Sequence, residues 1–486
     1  EPRVLIRYTL VEAHSPTTLR LKPYLAFRSV HELAKENNDA NTDMREVENG
    51  RANRMYGAFP ELFMQCSKKV EYTHAPAWYK NIQYYKEEER GFDYKEDQLV
   101  PGYFEMPIKK GESVIFSAGI SEVNTKTLKT LWKKELDRRV ARNNMFGCLT
   151  NAASQLYKRE GDRCYLLAGY PWFKCRARDM FIALPGLTLA LNEEFEFLSA
   201  MNTAAEAIRD FIKGRPTKCQ IYEMERPDVF LWAIWAIQQY AKFCGREKAW
   251  DQYGRLMMDI MDYLRHNRHV NFYLHGNGLV YINGRESAET WMNSTVDGAP
   301  VVPRTGYVVE INALWYNALK FVAELSNECG KSDYSRRMEQ IAQKVEASFP
   351  EVFVNEYGYL YDYVDGDYVD WSVRPNMIFA IALDHTPLSS KQQKKILDIV
   401  TRELLTPRGL RSLSPRNEAY RGVYEGSQID RDLAYHQGCA FPDLLAPYID
   451  VCFRMMGNTY YGRAKYLVEG FFEDISKHGV GAFSEL

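Results

Sequence analysis

The spacing of apolar and polar positions divides the 486-residue chain near residue 120. Before that point the apolar residues come in short β-branched and aromatic runs: VLIRYTLVE (4–12), LRLKPYLAF (19–27), FPELFMQC (59–66), NIQYY (81–85) and SVIFSAGI (113–120). Pro, Asn, Asp and Gly separate them, a pattern that predicts a β-sandwich over 1–123. The polar stretch 36–52 reads as a loop. From Asn124 the period changes. Residues 124–144, with TKTLKTLWKKELDRRVARN at 125–143, predict a charged linker helix. Helix-length amphipathic segments follow at about 145–159, 178–192, 195–213, 228–243, 247–267, 308–328, 332–348, 374–385, 389–403, 431–447, 449–456 and 459–477. Helices in this number, with few strand signals among them, predict an (α/α)6 toroid over 145–486. The fold class is therefore multidomain β + α, and the toroid's site is expected at a mouth lined by loops. The loops 160–177, 268–307, 354–373 and 405–430 are long enough to point to function.

Composition narrows the class without naming a chemistry. Net charge is −2, which argues against nucleic-acid or anionic-membrane partners. No apolar run is long enough to span a bilayer, and no signal-peptide pattern is legible. The nine cysteines are odd in number and none forms a CxxC pair, so the expectation is reduced thiols in a cytoplasmic protein. The nine histidines show no HxxxH or HExxH spacing, so no metal site is expected. The 9 Trp, 33 Tyr and 24 Phe fit bulky helical cores and sugar-stacking surfaces equally well.

Several stretches bear polar groups suited to a sugar. In CYLLAGYPWFKCRARDMFIALPG (164–186), Trp172 stands near Arg178 and Asp179, a fork donor and a fork acceptor for neighbouring hydroxyls; a helix-start ion pair is the alternative. Asp228 opens RPDVFLWAIWAIQQY, where an N-capping role ahead of core tryptophans is the simpler reading. AETWMNSTVDGAPVVPR (288–304) resembles the wall of a sugar site, with Trp291 beside Asn293 and with Glu289 and Asp297 four residues to either side. Glu310 is a structural acid at a helix start or a site carboxylate. His436, in RDLAYHQGCAFP, is either a satisfied core histidine or a site residue. Glu485 lies in HGVGAFSEL.

Taken in order, GYPWF and RD (169–179), DVFLW (228–232), TWM (290–292), VPR (302–304), VEINALWYNAL (309–319), RPN (374–376), LLTPRGLR (404–411), YHQG (435–438) and GVGAFSEL (479–486) resemble the glycogen debranching enzymes of archaeal and bacterial type. PYLAFRSVHEL (23–33) resembles that family's N-terminal β-domain. The resemblance implies a truncated β-domain and an amylo-α-1,6-glucosidase domain built as a six-hairpin toroid, with residues of the family continuing past position 486. It implies inverting hydrolysis of α-1,6-linked glucose on glycogen or branched maltooligosaccharide. One carboxylic acid protonates the leaving oxygen and one carboxylate activates water, roughly 6.5–9.5 Å apart, with no metal or organic cofactor. The family base falls on Glu485. Trp172, Arg178, Asp179 and Asp228 would hold the sugar, with Trp291, Glu310 and His436 beside them.

Two departures bear on activity. The family acid is the Asp of TWMD, and here that position is Asn293. An amide cannot act as the acid, and its loss is worth about 10²–10⁴-fold in rate. Either Asp297 or Glu289 serves instead, or the chain is a glucan-binding relative with weak or lost catalysis, or the residue was changed to trap substrate. The family's GDWGRD is KCRARD here (174–179), with Cys175 and Arg176 in place of Asp and Trp. A toroidal glycosidase with changed sugar specificity, such as one for a sugar bearing a carboxylate, is the further alternative.

Overall fold

The computed structural model describes residues 2–169, 173–477 and 481–486. Two compact units divide at residue 140. In the first, the antiparallel strands β1 (Arg3–Thr9), β2 (Thr17–Leu21), β3 (Arg45–Val47), β4 (Gly50–Asn53), β5 (Leu62–Cys66), β6 (Glu71–Gln83), β7 (Lys95–Ile108) and β8 (Ser113–Gly119) form two sheets. Their orders are β1-β8-β5-β4-β3 and β2-β7-β6. Met64, Cys66 and Val114 from the first sheet and Leu99, Phe104, Met106 and Ile108 from the second share one apolar core. The stretch expected to be a loop over 36–52 contains β3 and part of β4. Val47 pairs with Gly50 across a two-residue turn, and Asn49 supplies the left-handed conformation (φ 49°) that such turns need. A short helix, α1 (Tyr85–Glu89), joins β6 to β7. Helix α2 (Leu128–Arg138) belongs to this unit, and Arg7 lies 5.2 Å above the Trp132 ring.

The second unit is helical: α3 (Met145–Gln155), α4 (Ala177–Leu187), α5 (Glu194–Ile212), α6 (Val229–Cys244), α7 (Arg246–Arg265), α8 (Val309–Glu328), α9 (Ser332–Phe353), α10 (Phe379–Ala382), α11 (Ser390–Glu403), α12 (Gln428–Tyr435), α13 (Leu445–Met456) and α14 (Tyr461–Glu469). Helices that are not neighbours along the chain touch in series: α4 meets α6, α6 meets α8, α8 meets α10 and α10 meets α13. Helices α6 and α8 are buried along most of their length, whereas α7, α9 and α11 bury one stripe each. That contrast separates inner helices, packed on all sides, from outer ones that face water on one side. No helix among the described residues is long and apolar enough to cross a membrane.

Two regions differ from the sequence expectation. The loops 268–307 and 354–373 contribute a five-stranded sheet from Tyr273–Leu274, Val280–Ile282, Gly306–Val308, Tyr363–Asp365 and Tyr368–Val369. Asn312 on α8 clips this sheet to the helices, accepting from Val280 N (2.7 Å) and donating to Val280 O (3.0 Å). The predicted helix 431–447 is broken between α12 and α13. Gly438 takes φ 148°, and a Cβ there would lie 2.8 Å from Arg421 O, so the chain turns out of helix and enters the short strand Ala440–Phe441.

The loops are tied to the helices by a buried ion cluster. Arg304, 2% exposed, donates through Nε to Asp362 Oδ2 (2.7 Å) and through Nη2 to Glu310 Oε2 (2.6 Å). Burial opposes the cation, but Asp362 and Glu310 outweigh it and raise the Arg304 pKa. Removing one partner of such a cluster leaves an unpaired buried charge. Arg304→Met is expected to destabilise the second unit by about 3–5 kcal/mol in equilibrium denaturant unfolding; a loss below about 1 kcal/mol would show that the cluster does not hold the loops.

Candidate active site

Five segments of the second unit converge. The start of α4 carries Arg178 and Asp179. Asp228 stands at the N-cap of α6, yet its side chain caps nothing. It accepts from Arg178 Nε (2.7 Å) and Nη2 (2.8 Å) and from Trp232 Nε1 (3.2 Å). The Arg178–Asp228 pair is buried and bidentate, a strong, directional arrangement. Arg178 also donates to Glu289 O (3.0 Å), which ties α4 to the 288–304 segment. Arg178 thus pairs with Asp228 rather than with its neighbour Asp179.

Trp291 is the centre of an aromatic wall. Its Nε1 donates to Asn376 Oδ1 (2.7 Å), and Asn376 in turn donates to Asp362 Oδ1 (2.8 Å), so the wall is braced on the ion cluster. His436 and Phe441 meet its ring edge-on at 5.1 and 5.2 Å. The YHQG turn is held by Arg374, whose Nη1 donates to His436 O (2.8 Å) and Ser412 O (3.1 Å). The His436 ring is buried with neither nitrogen bonded. Burial, then the cations Arg374, Arg304 and Arg178, hold its pKa well below the usual histidine value, so it is neutral.

Glu485 reaches this wall from residues 481–486. Gly481 N donates to Ile475 O (2.9 Å), Ser484 N donates to Asp474 Oδ2 (2.9 Å), and Phe483 lies 4.9 Å from Phe471. Tyr435, at the end of α12, donates its hydroxyl to Glu485 Oε1 (2.5 Å). Burial and the Glu485 charge raise the Tyr435 pKa, so it stays a neutral donor.

Two further carboxylates sense Glu485. Asp179 is half-buried and its pKa is raised by burial, against the pull of Arg178 and Arg176; Glu223 and Glu485 push it further. Asp443, just before α13, is exposed to solvent. Burial first, then Glu485, push its pKa up to about 6, with Asp179 adding to the shift and two backbone N–H groups opposing it. Nothing in the local sequence of Asp443 announces this. The shift arises from residues distant along the chain.

The other expected residues are placed as follows. Asn293 is exposed, and its backbone N–H donates to Trp291 O (2.9 Å). Ser294 bonds the Asp432 carbonyl on α12, so position 293 lies beside the helix that presents Tyr435. Asp297 and Gly298, with φ 51° and 79°, are the two-residue turn of the hairpin Thr295–Val296/Ala299–Pro300. Asp-Gly is the sequence such a turn favours, which gives Asp297 a conformational reason to be there. Glu289 pairs with Arg226 (3.2 Å). Glu310 is 3% exposed and engaged by Arg304. Cys175 is buried in the core, where burial pushes its thiol up to about 12, and all nine cysteines are free thiols. The charge of Arg176 is shared with Glu223 (3.4 Å) and the Phe173 ring (4.9 Å). Trp172 lies outside the described residues.

An aromatic wall and interacting carboxylates on a helical frame are compatible with a glycoside hydrolase site. The comparisons agree. The sequence profile described as amylo-alpha-1,6-glucosidase matches residues 150–486, and that described as glycogen debranching enzyme N terminal matches residues 1–115. The chain therefore belongs to the glycogen debranching enzyme family, a family of glycoside hydrolases. It is 29% identical to the glycogen debranching enzyme of Saccharomyces cerevisiae over 33% of this chain, and the match spans 13% of that relative's length. Its fold is similar to that of a bacterial glucoamylase solved with acarbose, at a TM-score of 0.51 and 14% identity over 90% of this chain and 68% of that one.

The raised pKa of Asp443 has a consequence for stability. The unfolded chain releases this proton near pH 4 and the folded chain holds it to about pH 6, so the group costs stability as pH rises through that window. Asp443→Asn is expected to stabilise the protein relative to wild type at pH 7 and to lose that advantage at pH 4, read as denaturant midpoints. Equal midpoint differences at both pH values would show that Asp443 is not perturbed.

Proposed function

We propose that this chain hydrolyses α-1,6-linked glucose from branched α-glucan with inversion, using Glu485 as base and Asp443 as acid. The observation that carries the reading is the hydrogen bond from Tyr435, next to the aromatic wall, to Glu485, together with the charge interaction of Glu485 with a second carboxyl, Asp443, whose pKa is pushed up to about 6. A general acid works best when its pKa lies near the working pH. In the reaction a water attacks the anomeric carbon and gives its proton to Glu485. The glycosidic C–O bond breaks as Asp443 transfers its proton to the leaving oxygen. Tyr435 engages one oxygen of Glu485 and leaves the other for the water. Asp179 and the wall of Trp291, His436 and Phe441 would hold the sugar, and the Arg178–Asp228 pair would fix the start of α4.

The same reading takes the first unit as a β-sandwich over about 1–123, α2 as the connecting helix and the second unit as an (α/α)6 toroid. A second reading, a glucan-binding relative with weakened catalysis, is favoured by one observation: position 293, where the resemblance to the family implies an acid, is an amide, Asn293.

The test measures glucose and its anomeric form released from a branched limit dextrin. Glu485→Gln and Asp443→Asn are each expected to lower kcat by about 10²–10⁴-fold. The fall in wild-type rate above about pH 6 should track deprotonation of Asp443. If Asp443→Asn retains full activity, Asp443 is not the acid. If wild type releases no glucose and Asn293→Asp restores release, the second reading holds.

A further inference from the structure

The loop after α9 displays aromatic rings that the site above does not use. Tyr357 is 67% exposed and Trp371 is 42% exposed. Their ring centroids are 6.1 Å apart at 67°. Tyr361 meets Trp371 edge-on at 4.8 Å and 89°, and Tyr359 stacks beside Tyr357 at 6.4 Å and 15°. Large aromatics exposed side by side are unfavourable in water unless something covers them.

Their backbone is held firmly for an exposed loop. Asn355 is 5% exposed, and its Oδ1 accepts from Tyr357 N (3.0 Å) and Tyr359 N (3.2 Å). Asp362 N donates to Asp370 O (3.0 Å), and Asp370 N donates to Tyr363 O (3.0 Å), so the backbone next to Tyr361 is paired with the backbone next to Trp371. Asp362 itself is locked to Arg304 (2.7 Å). The rings therefore stand on a rigid base and pay little ordering cost on binding.

The cluster also leads to the site. Trp371 lies three residues before Arg374, roughly 10 Å of extended chain, and Arg374 holds the His436 carbonyl. Polar groups flank the rings: Asn417 donates to Ser372 Oγ (3.2 Å), and Arg416 is exposed beside it. Flat apolar faces bordered by hydrogen-bonding groups match the two surfaces of a pyranose, whose C–H face stacks on rings and whose hydroxyls reach outward.

We infer that the Tyr357–Trp371–Tyr361 cluster is a binding platform for a linear stretch of α-glucan, made of other residues than the Glu485–Trp291 site proposed for the terminal glucose. The platform rests on the glucan reading in the choice of ligand, though not on hydrolysis. It would hold the outer chain of a branched substrate while the branch glucose reaches the Glu485–Trp291 site. Ligand and surface are matched by stacking, which tolerates any chain length that covers the rings.

The experiment is gel retardation in glycogen and titration with maltoheptaose, a linear α-1,4 chain without a branch, on the full chain. Wild type is expected to be retarded. Trp371→Ala and Tyr357→Ala should each weaken maltoheptaose binding by about two- to tenfold, the range for one aromatic stacking partner. Trp371→Phe, which keeps a ring, should restore most of the affinity. Binding by Trp371→Ala equal to wild type overturns the platform, as does a change of oligomeric state in that variant without a change in affinity, which would make the cluster a self-association surface. The two proposals fail separately. Glycogen retardation without glucose release leaves the platform standing and removes the hydrolase reading. Glucose release with unaltered binding in both alanine variants does the reverse.

Discussion

The second unit depends on one buried cation. Arg304 sits where the loop after the 295–300 hairpin meets the start of α8, and it engages carboxylates from two other segments, Glu310 and Asp362. A guanidinium removed from water needs its charge and its N–H groups matched at once, and the planar fork of arginine allows it. Asp362 passes the constraint on through Asn376 to the indole of Trp291. The orientation of the aromatic wall, the seat of the small sheet and the base of the Tyr357–Trp371 cluster all follow from that arrangement. Such a cluster adds little net stability compared with apolar packing of the same volume; its effect is to permit one loop arrangement and penalise others.

The division of labour between frame and loops explains what could be read from the sequence. Helices such as α6 and α8 are long and strongly patterned, so periodicity locates them to within a residue or two. The five-stranded sheet is built from strands of two or three residues, too short for any alternation to register. The break after Tyr435 depends on Gly438 adopting a conformation that only its three-dimensional neighbours require. Residue chemistry divides the same way. The segments of Trp291 and Glu485 stand out in the sequence because they resemble those of a known family. The pairing of Asp228 with Arg178, and the raised pKa of Asp443, depend on contacts across the fold that local sequence does not encode.

The electrostatics of the site follow a simple rule. Cations are placed inside and below, where Arg178, Arg304 and Arg374 are all buried. Carboxylates are placed at the surface of that layer, where Glu485 and Asp443 reach solvent. Burial, reinforced by the neighbouring cations, keeps His436 neutral, and burial, reinforced by the Glu485 charge, raises the pKa of Asp443 and Asp179.

Asn293 stands apart from this network. Its side chain is exposed, and its segment is fixed by neighbours, through the Trp291 carbonyl and the Ser294 hydroxyl. Asparagine and aspartate have the same shape, and their codons differ by a single base. The frame that would present a carboxylate at this position is already built and does not depend on which of the two occupies it. In genetic terms, a chain with aspartate at this position is one base change away, with no intermediate that must fold differently.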